Sequence, residues 1–128
     1  MLSTSHAFSG FSTDDVGAAR TFYADVLGLT PVQEMGGVNL VYETAGGTRF
    51  NIYETGFAGQ AGHTIAQWHV ADIAADVRDL KSKGVVFEVY DMPGVEWDGE
   101  IASMKGLGKA AWFKDSEGNT MCLDQAEA

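Results

Sequence analysis

The chain has 128 residues, with eighteen acidic and eight basic side chains and a formal net charge of −10 at pH 7. This charge argues against nucleic acids and anionic membrane surfaces as partners. It would favour a cationic ligand, but the acidic residues are spread from Asp14 to Glu127 and not clustered, so a solubilising surface is the first interpretation. The single cysteine, Cys122, excludes an internal disulfide framework. No export signal and no apolar run long enough to cross a bilayer is visible, so the sequence predicts one cytoplasmic domain over residues 1–128.

Two helices are predicted, each opened by an aspartate. The stretch from Asp14 to Leu29 begins with acidic capping residues and reaches Gly28, which suits the left-handed end of a helix. Its apolar residues recur at helical spacing, as in a stripe packed against a sheet: Val16, Ala19, Tyr23, Val26 and Leu27. The same outline returns from Asp72 and stops at Gly84, which predicts two similar modules.

Short extended runs surround each helix and predict strands. These runs cover residues 6–13, 31–35, 38–43, 48–54, 64–70, 85–90, 109–113 and 120–125. The chain would therefore comprise an N-terminal module at about 6–54, a Gly- and Ala-rich linker at 55–63 and a C-terminal module at about 64–125. Residues 91–108 are predicted to be irregular, either as a lid or cavity wall or as a plain crossover.

Four segments follow one another along the chain: DVGAARTFYADVLGL at 15–29, VADI at 70–73, GVVF at 84–87 and WFKDSEGN at 112–119. Together they resemble the vicinal oxygen chelate superfamily, which includes glyoxalase I, extradiol dioxygenases and bleomycin-resistance proteins. The resemblance spans nearly the whole chain. It implies an α+β fold in which two βαβββ modules form a half-open barrel around a central cleft, often completed in a homodimer.

Metalloenzymes of this superfamily hold a divalent ion through His and Glu side chains on the first and fourth strands of each module. The positions that match these ligands here are Phe8, Asn51, Ile65 and Cys122. Phenylalanine and isoleucine have no donor atom, and only the cysteine is a strong ligand, as a thiolate for soft ions. The sequence therefore predicts no metal and no other cofactor. The alternative is a displaced ligand set of His6, His69 and Asp124, which share the same strand faces by alternation.

The same faces would form a mostly apolar small-molecule pocket with a few polar groups. The predicted ligand-binding residues are Phe8, Asn51, Tyr53, Ile65, Gln67, His69, Trp97, Trp112, Cys122 and Asp124. The two tryptophans offer surfaces on which a planar ring could stack, and ordinary core packing is the alternative for each.

These observations favour a small-molecule-binding protein that sequesters a cationic or planar organic compound without a metal. The alternative is a metal-dependent lyase, isomerase or dioxygenase that uses the displaced ligands. A third interpretation is a structural or regulatory module without a ligand. No spacing in the sequence establishes acid–base catalysis by His69 or Asp124, so whether the chain is an enzyme stays open at this point.

Overall fold

The structure is a computed structural model that describes residues 2–5, 7 and 9–127. The described residues form ten strands and two α-helices in two sheets, which confirms the predicted α+β class. They divide into two units. The first runs up to Gln60 and includes Ser116–Asn119, and the second comprises Ala61–Asp115 and the residues from Thr120 onward. No helix among the described residues is long and apolar enough to cross a membrane.

The first unit contains one helix and a four-stranded sheet. Its elements are β1 (Ser9–Thr13), α1 (Val16–Asp25), β2 (Gln33–Met35), β3 (Asn39–Glu43) and β4 (Arg49–Glu54). The strand order is β1-β4-β3-β2, with β1 parallel to β4 and the other pairs antiparallel. This arrangement follows the predicted order of one strand, one helix and three strands.

Helix α1 begins where the sequence predicts and ends earlier. The Asp15 side chain accepts a hydrogen bond from the Ala18 backbone N–H at 3.1 Å, which caps the first turn. The helix ends at Asp25 because the chain turns left-handed at Gly28, where φ is +73°. The Leu29 N–H then donates to the Tyr23 carbonyl at 2.7 Å and closes the end of the helix.

Aromatic rings fill the space between α1 and its sheet. Tyr23 and Tyr42 are fully buried. Tyr42 stacks on Phe50 with ring centroids 5.0 Å apart, and Phe50 stacks in turn on Phe11 at 4.6 Å. These rings make the core of the first unit.

The Tyr42 hydroxyl is buried without a hydrogen-bond partner among the described residues. Burial raises the pKa of this side chain to about 12, so the hydroxyl stays neutral. Because an unsatisfied buried hydroxyl opposes folding, we expect Tyr42→Phe to leave the free energy of unfolding unchanged or to raise it by about 1 kcal/mol. Urea denaturation measures this change. A loss of more than about 1 kcal/mol would mean that the hydroxyl has a stabilising partner.

The second unit contains one helix and a six-stranded sheet. Its elements are β5 (Thr64–His69), α2 (Ile73–Ser82), β6 (Phe87–Glu88), β7 (Glu96–Asp98), β8 (Ile101–Met104), β9 (Gly108–Lys114) and β10 (Thr120–Ala126). The strand order is β5-β10-β9-β8-β7, and β6 pairs with β9 beside β8. Strand β5 runs parallel to β10, as β1 does to β4.

Helix α2 repeats the local design of α1. The Asp72 side chain accepts a hydrogen bond from the Ala75 backbone N–H at 3.1 Å, the same distance as in the first cap. Its buried face consists of Ile73, Val77 and Leu80, which lie at helical spacing. The repeated outline in the sequence therefore corresponds to two capped helices, each beside its own sheet.

The prediction of an irregular stretch at 91–108 is wrong in its centre. Strands β7 and β8 form an antiparallel hairpin there, so Trp97 lies on a strand and not in a loop. The turn passes through Gly99 at φ +62°. Asp98 pairs with Ile101, so the two turn residues are Gly99 and Glu100, and a glycine at the first position of a two-residue turn is a hairpin signal. The strand predicted at 85–90 is shorter than expected, since only Phe87–Glu88 pairs with β9.

Candidate ligand-binding face

The two faces of the second sheet differ because α2 covers one of them. The Gln125 side chain accepts a hydrogen bond from the Ile73 backbone N–H at the start of α2, at 2.9 Å. Side chains alternate along a strand, so Asp124 lies on the face turned away from α2. We call this the far face of the second unit. Two rows of opposed residues cross it: Gln67, Cys122, Trp112 and Glu88, and His69, Asp124, Ala110, Ala102 and Trp97.

Three aromatic side chains meet on this face, and two of them, Trp97 and Trp112, belong to the rows just described. The Trp97 and Trp112 ring centroids lie 6.1 Å apart at an interplanar angle of 52°. The Tyr90 ring meets Trp112 edge-on, with centroids 5.6 Å apart at 75°. Both tryptophans are partly exposed. We call these three residues the aromatic cluster; its rings offer a partly exposed apolar surface for a planar molecule.

An acidic side chain borders the aromatic cluster. The Tyr90 hydroxyl donates a hydrogen bond to Glu88 Oε2 at 2.6 Å. The Lys114 ammonium lies 3.6 Å from the other Glu88 oxygen, so the carboxylate is partly balanced. Glu88 and Tyr90 were not predicted as site residues. Sequence reasoning missed them because β6 pairs for only two residues, and the direction of side chains beyond a strand does not follow from alternation.

The hydrogen bond between Tyr90 and Glu88 predicts a pH effect. Burial, and then this hydrogen bond, raises the pKa of Tyr90 from its ordinary 10.0 to about 12. Between these pH values the unfolded chain has lost the proton and the folded chain retains it, so stability falls as the pH rises through this window. We expect Glu88→Gln to move the pKa of Tyr90 back towards 10.0, as measured by tyrosinate absorbance, with Tyr90→Phe identifying the signal. Ordinary titration of Tyr90 in the unaltered protein would contradict this expectation.

His69 and Asp124 lie directly opposite each other on β5 and β10. The His69 Nδ1 atom lies 2.6 Å from Asp124 Oδ1, within hydrogen-bond distance. The imidazole is 84% exposed, whereas the carboxylate is 26% exposed. The structure therefore brings together two of the three residues in the displaced metal-ligand set. The third, His6, lies outside the described residues.

Cys122 lies in the centre of the far face as a buried thiol. It is 2% exposed, and its Sγ donates a long hydrogen bond to the Leu123 carbonyl at 3.4 Å. Burial raises the pKa of Cys122, although a hydrogen bond from the Gln67 side chain acts in the opposite direction. The protonated thiol is neither an activated nucleophile nor a ready metal ligand.

Two predicted site residues belong to the first unit. Asn51 and Tyr53 lie opposite Gly10 and Ser12 on β1, on the face turned away from the aromatic core. The Asn51 amide nitrogen donates to Asn39 Oδ1 at 3.1 Å. The Tyr53 ring covers Gly10 so closely that a Cβ there would lie 3.2 Å from it. Phe8, predicted on the same strand, lies outside the described residues.

Ile65 occupies an irregular position in β5. Thr120 lies opposite Thr64 and Met121 lies opposite Ala66, so the register shifts and leaves Ile65 without a direct partner on β10. A bulge of this kind changes the direction of a side chain relative to regular alternation. The sequence gives no signal for it, because no glycine or proline marks the position.

Three of the four residues that the sequence analysis matched to metal-ligand positions are described, and their side chains do not suit a divalent cation. Asn51 offers a neutral amide that already bonds Asn39, Ile65 has no donor atom, and Cys122 is a buried thiol whose pKa is raised. Hard cations prefer carboxylate oxygens and zinc prefers imidazole or thiolate. Within the described part of the chain, no three His, Cys, Asp or Glu side chains are close enough together to hold a metal ion.

A cavity borders strands β7 to β10 of the second sheet. Its volume is about 560 Å³, and its walls include Glu96, Ser103, Lys109 and Gln125, which oppose one another across these strands. None of the described residues that were predicted as a site lines this cavity.

Comparisons with solved structures find the same fold at low sequence identity. A mutant of the fosfomycin resistance protein FosX from Listeria monocytogenes, complexed with Mn(II) and 1S,2S-dihydroxypropylphosphonic acid, gives a TM-score of 0.69 at 14% identity, over 94% of this chain and 89% of that chain. TnmS3, an antibiotic binding protein from Streptomyces sp. CB03234, gives a TM-score of 0.66 at 19% identity, over 99% of this chain and 100% of that chain. The integron cassette protein VCH_CASS1 from V. cholerae gives a TM-score of 0.63 at 17% identity, over 96% of each chain.

A family comparison covers almost the entire sequence. A search of curated proteins gives no match. Residues 5–123 match the family model described as Glyoxalase/Bleomycin resistance protein/Dioxygenase superfamily. This match agrees with the two helix-and-sheet units and with the structural neighbours. The chain belongs to the Glyoxalase/Bleomycin resistance protein/Dioxygenase superfamily.

Proposed function

We propose that the protein binds an aromatic organic molecule, neutral or cationic, on the far face of the second unit without a chelated metal ion. The aromatic cluster is the observation that carries this proposal. The ring centroids of Trp97 and Trp112 lie 6.1 Å apart, and the rings are tilted and partly exposed. The two rings do not stack in parallel, so each keeps part of its surface available to a ligand. A planar ligand would bury apolar area against them.

The charge around the cluster supports the choice of ligand class. Glu88 borders Trp112, and Asp124 lies on the next strand of the same face. The whole chain carries a formal charge of −10, which attracts cations over long distances. A planar cation would gain both stacking and electrostatic attraction, whereas a planar anion would lose the second contribution.

The structural neighbours give further support at the level of chemical class. TnmS3 is described as an antibiotic binding protein, and the FosX complex contains a small phosphonic acid. Small organic molecules are therefore the ligand class that we extend to this chain. The FosX complex also contains Mn(II); our proposal without a metal relies on Asn51 being hydrogen-bonded to Asn39 and on Cys122 being a buried thiol whose pKa is raised.

The binding test uses proflavine, a planar cation, followed by quenching of tryptophan fluorescence. We expect micromolar affinity, and we expect Trp112→Ala to weaken binding about five- to thirtyfold, because stacking on one aromatic ring contributes about 1–2 kcal/mol. Phe57→Ala is the matched control, since Phe57 is an exposed aromatic residue of the first unit. Naphthalene-1-sulfonate, a planar anion, should bind more weakly than proflavine. Equal affinities of the unaltered protein and Trp112→Ala for proflavine would contradict the proposed site.

A metal-dependent lyase, isomerase or dioxygenase is the second candidate. The 2.6 Å contact between His69 and Asp124 favours it, because both side chains have metal-binding atoms. Metal content per chain, measured on protein purified without chelators or a His tag, separates the two candidates. Stoichiometric metal that disappears in His69→Ala would support this second candidate. We expect no such metal, and we expect no other bound cofactor.

We also propose a cytoplasmic homodimer, which continues the expectations from the sequence. Cys122 is a buried free thiol, as suits a reducing compartment. Light scattering at working concentration should give the mass of two chains. The mass of one chain would contradict the proposed dimer.

A further inference from the structure

The contact between His69 and Asp124 fixes the form of the imidazole. An ionised carboxylate accepts hydrogen bonds and cannot donate them, so His69 Nδ1 carries the hydrogen that it shares with Asp124 Oδ1 at 2.6 Å. In the neutral ring, the lone pair then lies on Nε2. The side chain is 84% exposed, so this atom is accessible to a ligand.

The pair lies close to the aromatic cluster on the same face. Asp124 on β10 opposes Ala110 on β9, and Trp112 follows two residues later on that strand. Diagonal neighbours of this kind are about 7–8 Å apart. The side chain of Ala110, opposite Asp124, is only a methyl group. A ring that stacks on Trp112 therefore extends towards Asp124 and its partner His69.

We infer that His69 is a general base that removes a proton from an activated carbon of an aromatic compound held at the aromatic cluster. This inference rests on the proposed function. The C–H bond breaks, the proton moves to His69 Nε2, and the electron pair stays with the compound. The imidazolium later gives the proton to water. Asp124 is a positioning residue that stays ionised, holds the ring orientation and stabilises the imidazolium that forms.

The experiment uses 5-nitro-1,2-benzisoxazole, a planar neutral compound with one activated C–H group. Proton removal from C3 forms the nitrile as the ring N–O bond breaks and its electron pair goes to oxygen, so the coloured product is a cyanonitrophenolate. The buffer contains EDTA, and the reference is 4-methylimidazole at the same concentration. We expect the protein to exceed this reference at least about tenfold, because binding orients the substrate.

Three variants separate the roles. We expect His69→Ala to reduce the rate to the reference level and Asp124→Asn to lower kcat about tenfold with little change in KM. His63→Ala is the matched control, since His63 is an exposed histidine outside the strands of the same unit. This control should keep full activity. A KM effect of Asp124→Asn without a kcat effect would contradict the positioning role.

Tryptophan quenching by the same compound distinguishes two kinds of failure. Binding without a rate above the reference, or with a rate that survives in His69→Ala, overturns the general base and leaves the binding site standing. If the compound does not quench tryptophan fluorescence, the site does not bind neutral planar compounds, and the inference about His69 fails. Quenching together with loss of the excess rate in His69→Ala supports both.

Discussion

Gly108→Ala is expected to destabilise the protein by about 3–5 kcal/mol, the largest effect of any substitution that we predict. Gly108 begins β9 with φ at +126°, a conformation that L side chains rarely adopt. A Cβ there would lie 2.2 Å from the Gln125 carbonyl oxygen and 2.9 Å from the Glu127 nitrogen. Both are backbone atoms of or beside β10, so the clash can be relieved only if the two central strands separate.

Gly106→Ala is the matched control for this substitution. Gly106 has φ at +83°, but a Cβ there would meet no atom within 4 Å. We therefore expect Gly106→Ala to lower the free energy of unfolding by only about 1–2 kcal/mol, because of the left-handed conformation. Urea denaturation of both variants, followed by tryptophan fluorescence, measures the difference. Equal losses would mean that β10 does not approach Gly108 as closely as the structure indicates.

Asn119→Ala should cost about 2–4 kcal/mol, because a buried side chain that makes two hydrogen bonds is lost. Asn119 is 1% exposed. Its amide nitrogen donates to the Ser12 carbonyl at 2.8 Å, and its Oδ1 accepts from the Ser12 hydroxyl at 3.0 Å. The side chain thus ties the turn before β10 to the edge strand β1, and its removal takes away both hydrogen bonds to Ser12.

Two further substitutions make the Asn119 prediction specific. Asn119→Asp keeps the acceptor oxygen but places a carboxylate beside the Ser12 carbonyl, so we expect it to be at least as destabilising as alanine. Ser116→Ala, at an exposed position of the same turn, should change stability by less than about 0.5 kcal/mol. A mild effect of Asn119→Asp would show that the Nδ2 hydrogen bond contributes little.

The sequence predicts the elements of this fold well where the signals are local. Asp15 and Asp72 mark two helix starts because a capping carboxylate satisfies N–H groups three residues away, and both caps have the same geometry. Alternation likewise assigns Asn51 and Tyr53 to one face of β4, opposite Gly10 and Ser12. These assignments depend only on residue type and short spacing.

The features that the sequence does not reveal depend on partners distant along the chain. The hydrogen bond between Asn51 and Asn39 requires the register of β3 against β4, and the irregular position of Ile65 requires that of β5 against β10. The same holds for the packing of Tyr90 on Trp112, which brings a third ring to the aromatic cluster. The periodicity of one segment assigns its faces but does not identify which distant residue each side chain contacts.

We propose that the far face of the second unit binds a planar ligand without a metal ion. Isothermal titration of proflavine into EDTA-treated protein, repeated after addition of Mn(II), tests it most directly. We predict the same micromolar affinity in both titrations, since the proposed site on the aromatic cluster requires no cation. Binding that is absent in EDTA and restored by Mn(II) would contradict it.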